Sequence, residues 1–105
     1  MVGHVLVAPE AVLAAAAELD LLAERLAAAA ALTAPATHVV PSGIDEVSLH
    51  AANHLNKAAV THDNAVAQGI LELHHAAATL RSQLATHMSS DIVRAAGIAA
   101  TGNAL

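Results

Sequence analysis

Among its 105 residues the chain has no Phe, Trp, Tyr or Cys, yet 56% of it is hydrophobic and 29 residues are alanine. Most of its apolar surface is therefore single methyl groups, and the ring side chains that dominate packed cores are missing. A chain of this length forms one domain at most. Without rings or disulfides it has little from which to build a self-sufficient enzyme core, and the absence of cysteine also excludes thiolate metal sites and thiol catalysis. Alanine is the strongest helix former, so the expected fold class is all-α.

Nine acidic residues face four basic ones, for a formal charge of −5, and only 12% of the chain is charged. Arg25, Lys57, Arg81 and Arg94 are dispersed and have no aromatics between them. They make neither a phosphate-binding stripe nor a stacking platform, so nucleic acid is not an expected partner. A mean hydropathy of +0.56 invites comparison with membrane proteins. The best span, residues 11–31, contains Glu18, Asp20, Glu24 and Arg25, which oppose burial at mid-bilayer depth. No transmembrane segment is expected. The N-terminal MVGHVLVAPE has no basic region and its apolar run stops at Pro9 and Glu10, so it does not read as a cleavable signal peptide.

Pro9 suits a first helical position, and Glu10 complements the helix dipole in the first turn. Helix one is expected over about residues 9–32. Its larger apolar residues fall at Val12, Leu19 and Leu26, with Ala15, Leu22 and Ala29 between them, in alternating steps of three and four. Leu13, Leu21 and Leu32 make a second, partial strip, so this helix is expected to meet more than one neighbour. Two prolines and a glycine punctuate the segment TAPATHVVPSG, and residues 33–43 are expected to form a connection. Ser42 with Asp45 has the spacing of a capping box, which starts helix two near residue 44. The apolar period runs through Ile44, Val47, Ala51 and Leu55, slips near Asn56 to Asn64, and resumes at Val66, Ile70, Leu73, Ala77, Leu80, Leu84 and His87. The slip suggests a stutter.

With helix two ending near residue 88, the helices are ~36 Å and ~66 Å long at 1.5 Å per residue. Helix one then covers only half of helix two and leaves an apolar seam exposed, which marks an interaction surface. Two alanine-rich helices bury little area, and so few packed residues are marginal without a partner. An obligate helical bundle built with other helices is expected. Residues 98–105 are left as a flexible tail after the domain of residues 1–97.

Eight histidines stand at positions 4, 38, 50, 54, 62, 74, 75 and 87. His50 and His54 are spaced i, i+4 with Glu46 one turn earlier, a set able to place two imidazoles and a carboxylate on one helix face for zinc. No further ligand is indicated, so no metal or other cofactor is expected. Histidines held at an interface would also loosen a bundle in acid, whereas surface ones would not. Ser48, His50 and Asp45 lie too close on one helix to make a catalytic chain, and no phosphate loop or nucleophile elbow occurs. The chain is not expected to be an enzyme.

The opening VLVAPEAVLAAAAELD, the alanine-rich first helix, the connection APATHVVPSGIDEVS and the long second helix together resemble the mycobacterial PE family, named for its Pro-Glu pair, here Pro9 and Glu10. The resemblance covers roughly residues 5 to 97. It implies an antiparallel two-helix hairpin with a longer second helix, completing a four-helix bundle with a PPE-family partner. It further implies export of the pair by type VII secretion, with a chaperone bound through the PPE partner, and a location outside the cell or in its envelope. The partner-facing residues are then expected at Val12, Leu19, Leu22 and Leu26 of helix one and at Val66, Ile70, Leu73, Leu80 and Leu84 of helix two. The family's secretion motif, Tyr-x-x-x-Asp/Glu, falls on HMSSD, with Asp91 present and His87 in place of the tyrosine. That substitution puts export by the usual signal in question. The alternative left open is a homo-oligomeric helical bundle or coiled coil that binds metal through His50 and His54.

Overall fold

A computed structural model describes residues 8–104. Two helices account for nearly all of them: α1 spans Pro9–Thr37 and α2 spans Glu46–Ala104. They fold back on each other as a hairpin, with residues early in α1 meeting residues late in α2, as the Asp20 to His74 and Val39 to Asn56 bonds require. At 1.5 Å per residue the 59 residues of α2 measure about 88 Å. That one helix sets the long axis of a molecule 90 × 22 × 16 Å in extent.

α1 begins with Pro9 at its first position and Glu10 in its first turn, and the Ala8 carbonyl accepts from the amides of Ala11 and Val12. Its end lies beyond the expected residue 32. Pro35 was expected to close the helix, but it withholds only the one amide that would reach Ala31, and α1 continues for two residues past it. The Thr33 hydroxyl donates to the Ala29 carbonyl at 3.0 Å, the Thr37 hydroxyl to Ala34 at 3.1 Å, and the His38 amide to Ala34 at 3.0 Å. These bonds finish the last turn. The connection is accordingly residues 38–45 instead of 33–43.

The start of α2 is also shifted. Asp45, rather than Ser42, is its cap: Oδ2 accepts from the Ser48 amide at 3.0 Å and Oδ1 from the Ser48 hydroxyl at 2.8 Å. Those bonds hold the Asp45 carboxyl below its ordinary value of 3.8, the Ser48 amide contributing most. A methyl added at Gly43 would stand 2.8 Å from Asp45 Oδ1, so the glycine leaves room for this cap. At its other end α2 continues through Ala104, and the stretch expected as a tail is helical as far as the structure describes it. Alanines at 95, 96, 99 and 100 outweigh the cost of Gly97, and the Thr101 hydroxyl bonds back to the Gly97 carbonyl at 3.0 Å.

The seam between the helices has no stutter. Along α2 the residues facing α1 are Ala52, Asn56, Ala59, Asp63, Val66, Ile70, Leu73, Ala77, Leu80 and Leu84, in unbroken steps of four and three. What lapses near Asn56 and Asp63 is hydrophobicity, because both side chains hold the connection in place. Asn56 Oδ1 accepts from the Val39 amide at 2.8 Å while Asn56 Nδ2 donates to the Val39 carbonyl at 2.9 Å. Asp63 Oδ2 accepts from His38 Nε2 at 2.7 Å. On α1 the residues that alternate with Val12, Leu19 and Leu26 toward α2 are Ala16, Ala23 and Ala30, whereas Ala15, Leu22 and Ala29 stand on an exposed flank.

Candidate functional site

The interior of this hairpin is made almost wholly of methyl groups. Among the described residues the buried ones are Ala16, Ala23, Ala52, Ala59, Ala77 and Leu84, and no large side chain is fully enclosed. Alanines at the crossing points let helices approach closely, and the leucines between them are then pushed toward the flanks. Val12, Leu19, Leu26, Val66, Ile70, Leu73 and Leu80 are half-buried in this way. Of the nine residues expected to face a partner, only Leu22 is exposed, while Leu84 is buried and the other seven line the hairpin's own seam. The large apolar side chains left open are different ones, among them Leu13, Leu21, Val60, Leu71 and Ile92.

One polar cluster ties the two helices together. Asp20 of α1 presents Oδ1 to His74 Nδ1 and Oδ2 to Arg81, each at 2.7 Å. The hydrogen bond from His74, then that from Arg81, holds the Asp20 carboxyl below its ordinary value of 3.8. Because the folded-state value lies below the unfolded one, the bonds stabilise the hairpin fully above about pH 3.8, and that stabilisation is lost as pH falls through the depressed value. Asp20→Asn is therefore expected to melt below the parent protein at pH 7, with the difference shrinking in acid. Thermal melts that keep the same difference at pH 3 and pH 7 would contradict this assignment. His74 meets a carboxylate instead of an apolar wall.

At the far end of the hairpin, His87 and Asp91 lie one turn apart on α2, with Nε2 and Oδ2 separated by 3.5 Å. They continue the seam spacing to where α1 begins. His87 joins Val12, Leu80, Gln83 and Leu84 around an open cavity of about 230 Å³. Pro9 is half-buried and Glu10 exposed at that same end. Glu46, His50 and His54 are all exposed, and among the described residues no three metal-binding side chains converge. His4 lies outside the described residues. Asn56, Asp63 and the Asp20 cluster were not singled out from sequence. The signal that locates them is the seam itself, since a polar residue at a seam position needs a partner across it.

Together these features define a class: a thin antiparallel helical hairpin with an alanine seam and large apolar residues on its outside. The PE family profile matches residues 5–94. The PE family immunomodulator PE5 of Mycobacterium tuberculosis is 37% identical over 97 residues, which cover 91% of this chain and 95% of the relative. The chain belongs to the PE family. No solved structure matches it. Among the described residues no helix is long and apolar enough to cross a membrane.

Proposed function

We propose that this PE-family chain is a non-catalytic half of a heterodimer, completing a four-helix bundle with a PPE-family protein and leaving the cell with it as a type VII secretion substrate. The observation that carries this reading is the pairing of an alanine interior with large apolar residues outside it. A hairpin that buries mostly methyl groups gains little from folding alone, and a second hairpin would cover what is left open. Half-buried seam residues such as Leu19, Leu26, Ile70 and Leu73 would be covered further at its edge. The envelope or the host is the place of action this reading assigns, in keeping with the immunomodulator relative.

Size-exclusion chromatography with light scattering tests the pairing on the chain alone and co-expressed with PPE-family proteins. The expected result is a soluble one-to-one complex and a poorly helical or aggregating chain without a partner. A stable homo-oligomer of the chain alone would instead establish the homo-oligomeric bundle. Export is tested at His87. A tyrosine ring is larger than imidazole and would fill the cavity beside Val12, Leu80 and Leu84, restoring the family's motif with Asp91. His87→Tyr is expected to move the protein from cell lysate to culture filtrate. Equal distribution of parent and variant would show that this position does not limit export.

A further inference from the structure

Three of the histidines meet a carboxylate, and two of those contacts bridge separate elements. His38, just past the end of α1, bonds to Asp63 of α2 at 2.7 Å, and His74 of α2 bonds to Asp20 of α1 at 2.7 Å. The third pair, His87 with Asp91, lies within α2 alone. His50, His54, His62 and His75 stand apart from any carboxylate among the described residues. The contacts that respond to the charge on an imidazole are thus ones that close the hairpin.

His38 has the stronger setting. It is the C-cap of α1, where a cation faces the negative end of the helix dipole. Residues 31–37 hold no charged side chain, so nothing else fills that role. The other titratable side chains of α2 within two turns of Asp63 are Lys57 and His62, and in the connection Asp45 has both oxygens bonded to Ser48. Around His74 the charged groups are Asp20 of α1, Glu24 one turn further along it, and Arg81 of α2. Arg81 already bonds to the other Asp20 oxygen at 2.7 Å, so a second cation there gains less.

We propose that protonation of His38, assisted by His74, tightens the hairpin in mild acid. A proton on either imidazole turns a neutral hydrogen bond into a charge-assisted one, which is shorter and stronger, as long as the carboxylate stays ionised. Free histidine takes up its proton near pH 6.5 and free aspartate only near 3.9, and the bonds to Asp20 hold its carboxyl lower still. Both ties are therefore ion pairs from about pH 6 down to about pH 4.5. A proton held by a pair that only the folded chain makes raises stability as pH falls through the histidine range, and the gain is lost again as the carboxylates fill below about pH 4. A histidine enclosed by apolar groups acts in the opposite sense.

Thermal unfolding at pH 7.5 and 5.5, on the chain in its soluble form alone or with a partner bound, tests this together with amide exchange. The parent should melt about 3–5 °C higher at the lower pH. His38→Gln can donate a hydrogen bond but carries no charge, and it should lose most of that rise, whereas His54→Gln should keep it. His38→Lys carries its cation at both pH values, so it should also lose the rise while melting above His38→Gln at pH 7.5. Corrected for intrinsic rates, the Val39 amide beside His38 should exchange more slowly at pH 5.5 in the parent. That readout is local, so the titration of a bound partner does not obscure it. Equal rises in the His38→Gln and His54→Gln chains, or a Val39 amide that exchanges no more slowly in acid, would overturn the proposal.

Discussion

Ala23→Leu is expected to destabilise the hairpin by about 1–3 kcal/mol, because a residue with no exposed surface at a close helix crossing has nowhere to place three more carbons. The added bulk either forces the helices apart, uncovering the alanines above and below, or drives the leucine off its preferred rotamer. Ala28→Leu is the matched control. Ala28 is exposed on the same helix, so the same chemical change should stay within about 0.5 kcal/mol. Thermal unfolding followed by circular dichroism distinguishes the two, and equal melting temperatures for both variants would show that the alanine seam is not tightly packed. In a small hairpin a loss of this size is a large fraction of the total stability.

Asn56→Leu is the second large effect, and it runs against what the hydrophobic pattern suggests. Leucine would extend the apolar heptad through the region where it lapses, yet it removes both bonds that Asn56 makes to the Val39 backbone. Leaving that amide and carbonyl without partners should cost about 1–3 kcal/mol. Hydrogen exchange gives the sharper readout: the Val39 amide should lose protection in the variant, while amides in the middle of α1 keep theirs. A variant more stable than the parent would mean that burial of leucine outweighs the loop bonds and that the connection is held by other contacts.

These two residues also show why part of the architecture could be read in advance and part could not. The two-helix plan follows from Pro9, from the alanine runs and from the break at Pro41 and Gly43, all of which act locally. The phase of the seam on α1 does not. Steps from Val12 to Ala15 and from Val12 to Ala16 fit a helical stripe equally well, and only the position of α2 selects Ala16, Ala23 and Ala30. Leu22, placed in the seam by its spacing together with Ala15 and Ala29, stands with them on a flank because α2 meets the other phase. Asn56 and Asp63 looked like a slip in the helix because their partners, Val39 and His38, belong to a connection whose course depends on the whole hairpin. Pro35 misled in the same way: a proline near the end of a helix costs one bond, and nearby threonine hydroxyls complete the turn.

The site was legible to a smaller degree. Pro9, Glu10, His87 and Asp91 could be placed from the family's pattern, and the structure sets both pairs at the same end of the hairpin. The Asp20 cluster spans residues far apart in the chain, and no local spacing announces it. Once Asp20 is seen to lie one position beyond Leu19, its partners one position beyond Leu73 and Leu80 follow from the antiparallel register.

The narrow seam has a further consequence for shape. Helices that meet through methyl groups lie close together, and the folded hairpin is only 22 by 16 Å in cross-section despite its 90 Å length. A globular fold of equal mass is wider in its smallest dimension, so the hairpin exposes more of its length to neighbours than such a fold would.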